Sequence, residues 1–338
     1  MKRGKCECNR WIFFGNTVCL GCERTVGRCC ACHAMSSFSP INNGEYFRCN
    51  NCRSAVRPCG NRKLGVCNCF AVPTAVAGIT LCAYCEFTRI VPRHDSAEQL
   101  HRWRDLESAK RRLLIQLSGL GFPPFSSKFA PTSRLQFEFK ENSTLADGTI
   151  DAVFTGHENG TITINVQEAD SVSREQSRVA FNEPQRTLIG HMRHEYGHYL
   201  DLCCIQGDRL RNQYVDLFGD PFAIDYSIAK TQYYATGPRD HWSGRYVSAY
   251  ASMHPWEDFA ETVNVYLDVM ALAETARDQL GVEVDTSNTA CVAIFISRLL
   301  DLAIAVSEFN YDMGLSSLLP ERFNDDVVCK LSYVHGLR

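Results

Sequence analysis

The sequence predicts an α+β protein, a mainly helical body with a small β-sheet, preceded by a cysteine-rich module. Three observations predict it. Fourteen of the 18 cysteines lie between Cys6 and Cys85. Beyond residue 92, apolar residues recur at helical spacing in several long stretches. Between these, short alternating segments flank a Glu158-Asn159-Gly160 turn signal. A chain of 338 residues suggests about two domains, expected at 1–92 and 93–338.

Composition bounds the surroundings. The hydrophobic fraction of 45% is ordinary for a globular protein. The most apolar stretch, Ala290–Val306, is interrupted by Arg298 and Asp301, so it reads as core helix and no membrane partner is expected. The opening MKRGKCECNRW lacks the apolar segment of a signal peptide, so a cytoplasmic location is expected. In a reducing compartment a dense cysteine cluster holds metal rather than disulfides. Residues 1–92 carry twelve Lys/Arg against four Glu, although the chain's net charge is −3. Each four-thiolate zinc site is itself negative, which removes most of that local excess and argues against a nucleic-acid partner.

In the module, three four-cysteine sets have the spacing of tetrahedral thiolate sites. The first is Cys6 and Cys8 with Cys19 and Cys22. The second is Cys29 and Cys32 with Cys49 and Cys52. The third is Cys67 and Cys69 with Cys82 and Cys85. Cys30 and Cys59 are left over, so ligand exchange with the second set and pairing between sets stay open. Four thiolates leave no position for substrate, so zinc here is expected to be structural. So few apolar residues could not hold the segment without metal. Trp11, Phe13, Phe14, Tyr46, Phe47 and Phe70 either fill the small core or meet a protein partner.

Thr88–Asp95 reads as a linker, with Pro92 opposing helix. Ser96 and Gln99 form a capping-box signal. A helix then follows to about Ser118, with Leu100, Trp103, Leu106, Ala109, Leu113 and Leu117 on one face. Its Lys110-Arg111-Arg112 run is expected on a solvated face or in ion pairs. Leu135–Phe139 alternates as a strand, and Ala152–His157 and Thr161–Val166 read as a hairpin. Thr161–Val166 is the candidate sheet edge for pairing with extended substrate. His157 is expected at the surface or capping the turn.

Leu188–Cys204 carries the chemistry. It contains His194-Glu195-Tyr196-Gly197-His198, an H-E-x-x-H pattern. Residues four apart share a helix face, so both imidazoles can hold one metal while Glu195 faces the water that the metal leaves exposed. Pro184 is placed to start this helix. His191 shares the histidine face, and Gly197 permits close backbone approach. A third ligand is required. Asp201 and Cys204 occupy the places where an extended motif would supply one, which favours a third ligand from a later helix. Ser252–Ala276 offers Glu257 and Glu261, four apart on one face, beside buried Phe259, Ala260, Val263, Tyr266, Leu267 and Met270. Its W-E-D-F-A-E run resembles the third-ligand helix of the gluzincin class. On that resemblance Glu257 is assigned to zinc and Glu261 to orienting a histidine, with the swap of roles left open. Tyr250, seven residues before Glu257, resembles the catalytic tyrosine of toxin-type gluzincins and is the first choice of oxyanion donor. His254, His241 and His191 are runners-up. Asp201 and His191 are expected to support the ligands, Asp258 to cap or meet solvent, and Asp220 to cap a helix before Pro221. Tyr226 could also support the site.

The order CxC…CxxC, WRDLESAKRRLL, TGHENGTITINVQEAD, RTLIGHMRHEYGHYLD and SAYASMHPWEDFAET resembles a group of bacterial zinc-ribbon-containing zinc metallopeptidases over nearly the whole chain. The resemblance implies a gluzincin-like, zincin-type catalytic domain behind a zinc ribbon, with ligands His194, His198 and Glu257. The chain departs from it in having more cysteines than a single ribbon requires. The expected cofactor is Zn²⁺, one ion catalytic and two or three structural. The expected reaction is hydrolysis of a peptide or protein substrate, with Glu195 as general base. The competing expectation is a zinc-ribbon adaptor, binding protein or nucleic acid, with an inactive peptidase-like domain. Toward the end of the chain, Ala290–Phe309 reads as a buried helix packed through Ile294, Leu299, Leu302 and Val306. A shorter segment runs from Pro320 to about Val334, and Cys291 and Cys329 are expected in the core.

Overall fold

The computed structural model describes residues 3–73, 80–129, 131, 133–170, 187–287 and 292–338. The backbone divides into two compact units. One comprises Met1–Leu114, Gln136–Gly156 and Thr163–Ala180, the other Ile115–Leu135, His157–Ile162 and Phe181–Arg338. The architecture is α+β, with a cysteine-rich region at the front.

The first unit opens with two short antiparallel strands, β1 (Arg3–Lys5) and β2 (Trp11–Phe13), with Gly4 opposite Ile12. Five strands then close a small barrel: β3 (Val26–Cys29), β4 (Met35–Ile41), β5 (Tyr46–Cys49), β6 (Ala55–Pro58) and β7 (Cys69–Ala71). Neighbours in sequence pair antiparallel, and β7 closes on β3 in parallel. The barrel core is thin. Phe38 stacks on Phe70 at 3.7 Å between ring centroids, beside Val56 and the sulfurs of Cys29 and Cys49. Trp11 and Phe13 remain exposed, whereas Phe14 and Phe70 are buried.

Part of the expected linker is strand. β8 (Thr88–Ile90) pairs in parallel with β9 (Gln136–Lys140), Thr88 lying opposite Phe137. Thr88 and Ile90 are β-branched, and Arg89 between them pairs with buried Glu138. Helix α1 (Ala97–Leu120) starts at the capping box. The Ser96 Oγ accepts from the Gln99 amide at 3.2 Å, and the Gln99 Oε1 accepts from the Ser96 amide at 3.1 Å. Of the two expectations for the basic run on α1, ion pairing holds for Lys110 and solvation only for Arg112. Lys110 is buried against Glu107 at 2.8 Å, Arg111 is buried against the Cys67 sulfur, and only Arg112 is exposed. Burial of a cation this deep requires such a partner.

Strands β10 (Ser143–Thr144) and β11 (Ile150–Asp151) form a short antiparallel pair. The hairpin is β12 (Gly156–Glu158) and β13 (Thr161–Asn165). It turns through Asn159 and Gly160, with φ of 46° and 88°, as a two-residue hairpin turn requires. Residues 152–155 lie outside it. The sheet order is β12-β13-β9-β8, so β13 is flanked on both sides and the expected free edge at Thr161–Val166 does not exist.

The second unit is helical: α2 (Leu188–Cys204), α3 (Asp208–Phe218), α4 (Tyr226–Thr236), α5 (Pro255–Thr275), α6 (Val292–Asp312) and α7 (Asp325–Gly336). Its core joins Met192, Tyr196, Tyr199 and Leu200 of α2 to Phe259, Ala260, Val263, Tyr266 and Leu267 of α5. Buried Arg193 ties these helices together. It pairs with Asp268 and donates to Gln116 Oε1 at 3.0 Å, while Gln116 Nε2 donates to the Leu267 carbonyl at 2.6 Å. On α6 the buried stripe is Phe295, Ile296, Leu299, Leu300 and Ala303. Ile294 is exposed, so the expected apolar face was out of phase there. Cys329 is also exposed, and its neighbour Lys330 takes the buried position. Pro184 and Cys291 lie outside the described residues. None of the described helices is long and apolar enough to cross a membrane.

Candidate metal centre

The cysteines of the first unit gather into three groups: Cys6, Cys8, Cys19 and Cys22; Cys29, Cys32, Cys49 and Cys52; and Cys59, Cys67, Cys82 and Cys85. A tetrahedron with metal–sulfur bonds of about 2.3 Å has edges of about 3.8 Å. The sulfur–sulfur distances are 3.6 Å for Cys6–Cys22 and Cys8–Cys19, 3.9 Å for Cys29–Cys52 and Cys32–Cys49, and 3.7 Å for Cys67–Cys82. These are metal-site spacings, far longer than a disulfide bond.

The first two groups hold the expected residues. The third takes Cys59 in place of Cys69. The two cysteines of Cys67-x-Cys69 do not act as a pair of equals. The Cys69 amide donates to the Cys67 sulfur at 3.3 Å, while the Cys69 side chain lies beside Cys30. Cys59, which leads out of β6 into a tight turn, brings the fourth sulfur, and the Cys82 amide donates to it at 3.4 Å. Its spacing to Cys67 resembles no short knuckle, so the sequence left it over, open only to exchange with the second set.

The second unit brings His194, His198 and Glu257 together, their ligand atoms within 4.8 Å of one another. His194 and His198 stand one turn apart on α2, and their rings lie edge to face at 5.0 Å. Glu257 comes from the first turn of α5. Its Oε2 lies 2.9 Å from His194 Nε2 and 3.7 Å from His198 Nε2. Edges of about 3.4 Å are expected for nitrogen and oxygen ligands on tetrahedral zinc. Glu257 Oε2 is buried and accepts no hydrogen bond despite that short separation. The three ligand atoms therefore stand together without satisfying Oε2, a deficit that a cation would make good. Glu261 is not in this group. Its Oε1 lies 2.6 Å from His194 Nδ1, and its Oε2 accepts from Ser248 Oγ at 2.7 Å. A proton on Nδ1 leaves Nε2 as the free ligand atom.

The fields agree with this geometry. Burial opposes charge on His194, but Glu257 and Glu261 outweigh it and hold its pKa well above the ordinary histidine value. Burial likewise opposes charge on His198, and Glu257 overcomes it. Burial raises the Glu257 carboxyl, but the two histidines hold it well below the usual carboxylate range. The carboxylates thus favour positive charge at the two histidines.

Two tyrosines complete the wall. Tyr226 OH donates to Glu257 Oε1 at 2.8 Å, leaving Oε2 for the histidine side. The Tyr250 ring lies 6.0 Å from that of His194, and its hydroxyl is within hydrogen-bonding reach of Tyr226. Burial, with Glu257 nearby, pushes both phenols upward, so both stay protonated. Asp225 caps the helix that carries Tyr226, accepting from Ser227 and Ile228 amides at 2.9 and 3.1 Å. Asp220, expected as a cap, instead accepts from the Phe222 amide within a turn. Glu195 follows His194 on α2, is buried, and lies within electrostatic reach of His198 and Tyr226. Tyr226 carried only a weak signal in the sequence, and Ser248 carried none.

Other expected residues fall elsewhere. His254 is buried as the N-cap of α5. Its Nδ1 accepts from the Trp256 amide at 3.2 Å, and its Nε2 meets the Ile224 carbonyl, so neither nitrogen is left for an oxyanion. His241 is exposed in a left-handed conformation. His191 is half-buried on α2, outside the metal group. Asp201 lies within electrostatic reach of His198, but its buried Oδ1 accepts no hydrogen bond, and burial pushes its pKa up to about 6. Asp258 is neither cap nor surface residue. It is buried and paired with Lys330 of α7 at 2.6 Å. His157 caps its turn as expected, Nε2 accepting from the Gly160 amide at 3.0 Å.

Comparison with known proteins accords with both regions. A zinc-ribbon domain model matches residues 4–96. Uncharacterized proteins of Mycobacterium bovis and of two Mycobacterium tuberculosis strains are 32% identical over 342 residues, covering 97% of this chain and 92% of theirs. No solved structure matches. A family model described as "Putative zinc-binding metallo-peptidase" matches residues 99–337, and the chain belongs to that family.

Proposed function

We propose that the chain is a zincin-like metallopeptidase that hydrolyses peptide bonds with a water activated between zinc and Glu195. One observation carries the proposal: His194, His198 and Glu257 converge at zinc-ligand spacing beside a carboxylate on the same helix. When bound, zinc would supply Lewis acidity and lower the pKa of water toward neutrality. Glu195 takes the proton from the attacking water and passes it to the leaving amine. Tyr250, kept protonated by burial, donates to the developing oxyanion. Glu261 fixes the His194 tautomer, and Tyr226 occupies one oxygen of Glu257.

Cleavage of an unbiased peptide library by wild type and by Glu195→Gln tests the reading. The variant is expected to keep its metal and lose cleavage. Wild-type cleavage rates in Glu195→Gln would sink it, as would a wild type that cleaves nothing with its zinc in place.

A further inference from the structure

Cys30 and Cys69 take no place in the four-cysteine groups, yet both abut the third. Cys29 ends β3 and belongs to the second group, whereas Cys30 follows in the turn and neighbours Cys69 and Cys82. The parallel pairing of β3 with β7 sets Arg28 opposite Cys69, and the Cys30 amide donates to the Phe70 carbonyl at 2.9 Å. The Cys30 and Cys69 thiols are neighbours across this pair.

The thiol neighbours then form a pattern. Those of Cys59 are Cys67, Cys82 and Cys85. Those of Cys69 are Cys30, Cys67 and Cys82. Cys30 neighbours Cys69 and Cys82. Cys67 and Cys82 thus touch each other, at 3.7 Å; Cys82 neighbours all four outer thiols, and Cys67 neighbours Cys59, Cys85 and Cys69. Two tetrahedra sharing the Cys67–Cys82 edge, with an outer pair on each side, account for all of these contacts.

We propose that Cys30, Cys59, Cys67, Cys69, Cys82 and Cys85 form one two-metal thiolate cluster, in which Cys67 and Cys82 bridge two zinc ions. Cys59 and Cys85 complete one ion, and Cys30 and Cys69 complete the other. Six thiolates and two divalent cations leave two negative charges in a buried place. Two guanidiniums lie there to offset them. Arg111 Nη1 donates to the Cys67 sulfur at 3.4 Å, and Arg62 lies within electrostatic reach of Cys59, Cys67 and Cys69. The competing role, a pair of neutral thiols used as small core residues, needs no sulfur between the two pairs.

Metal counting on the full-length chain separates these roles, and the His194 centre is common to every sample, so it cancels. Wild type is expected to retain one zinc more per chain than Cys30→Ser/Cys69→Ser under reducing conditions. The ¹¹³Cd-loaded wild type is expected to show two resonances coupled to each other through shared sulfur. That second measurement needs no variant, so a misfolded double variant does not obscure the outcome. A wild-type spectrum without a coupled pair overturns the assignment. So does equal metal content in the two proteins, or a Cys30–Cys69 disulfide in freshly prepared metal-loaded wild type.

Discussion

Gly197 lies directly on Ala260: a Cβ added at residue 197 would fall 2.6 Å from the Ala260 Cα and 3.1 Å from its carbonyl oxygen. The obstacle is backbone, so it cannot move aside alone. Gly197 sits between the histidine ligands of α2, and Ala260 lies one turn beyond Glu257 on α5. Gly197→Ala is therefore expected to push apart the two helices that carry the metal ligands. It should destabilise the fold by about 1–3 kcal/mol and weaken zinc at the His194 centre. Urea denaturation with zinc titration checks both effects. Unchanged stability and unchanged affinity would contradict the close contact.

Glu261 acts on zinc through His194. Replacing it by Gln removes the charge that holds the Nδ1 proton. Zinc affinity at this centre should fall about 10–100-fold, as for other carboxylates behind a metal-bound histidine. Ser248→Ala, one bond further out, should have a smaller effect in the same direction. Competition with a graded series of chelators measures both, with the thiolate sites as internal reference.

Tyr250→Phe keeps the ring and deletes the hydroxyl. If that hydroxyl stabilises the oxyanion, kcat should fall about 10²–10³-fold with zinc content and KM little changed. A kcat within a few-fold of wild type would remove Tyr250 from the chemistry and turn attention to Tyr226, whose hydroxyl reaches the same carboxylate group.

Asp258 and Lys330 are both about 1% exposed and bonded at 2.6 Å. Breaking such a pair strands a buried charge. Lys330→Met should cost about 3–5 kcal/mol, whereas Asp258→Leu/Lys330→Met should recover much of that. Thermal denaturation of the three proteins is the check. A double variant as weak as the single one would mean that the helices, not the charges, were disturbed.

Burial pushes His335 down to about 4, with Arg338 adding to the effect. The folded value is below the unfolded one near 6.5, so the folded state binds fewer protons between them. The stabilisation is fully present above about 6.5 and is lost as pH falls through about 4. His335→Gln should flatten the acid-side loss of stability by less than one proton. Denaturation series between pH 7.5 and about 4.5 at saturating metal would reveal the difference.

Much of the site was legible because helical spacing is a strong constraint. His194 and His198, and likewise Glu257 and Glu261, are four apart, and a helix can present each pair in only one way. The first two cysteine groups were legible for a similar reason, since tight turns fix their close pairs. The failures came where tertiary contact decides. Cys59 joins its group through barrel closure, not through spacing. Thr161–Val166 alternates like an edge strand, but pairing on its second side depends on β9, which precedes it in sequence. Asp258 and Lys330 look like surface residues until each is seen to be the other's partner. Tyr226 reaches Glu257 only because Asp225 starts its helix at the right point.

The Asp258–Lys330 pair also sets an order in time. Asp258 directly follows the ligand Glu257, and its cation comes from α7, which is synthesised after every other described element of the chain. While α7 is still inside the ribosome, α5 has a carboxylate destined for burial and nothing to pair it with. The first turn of α5 can therefore be buried at no charge penalty only once α7 has folded against it.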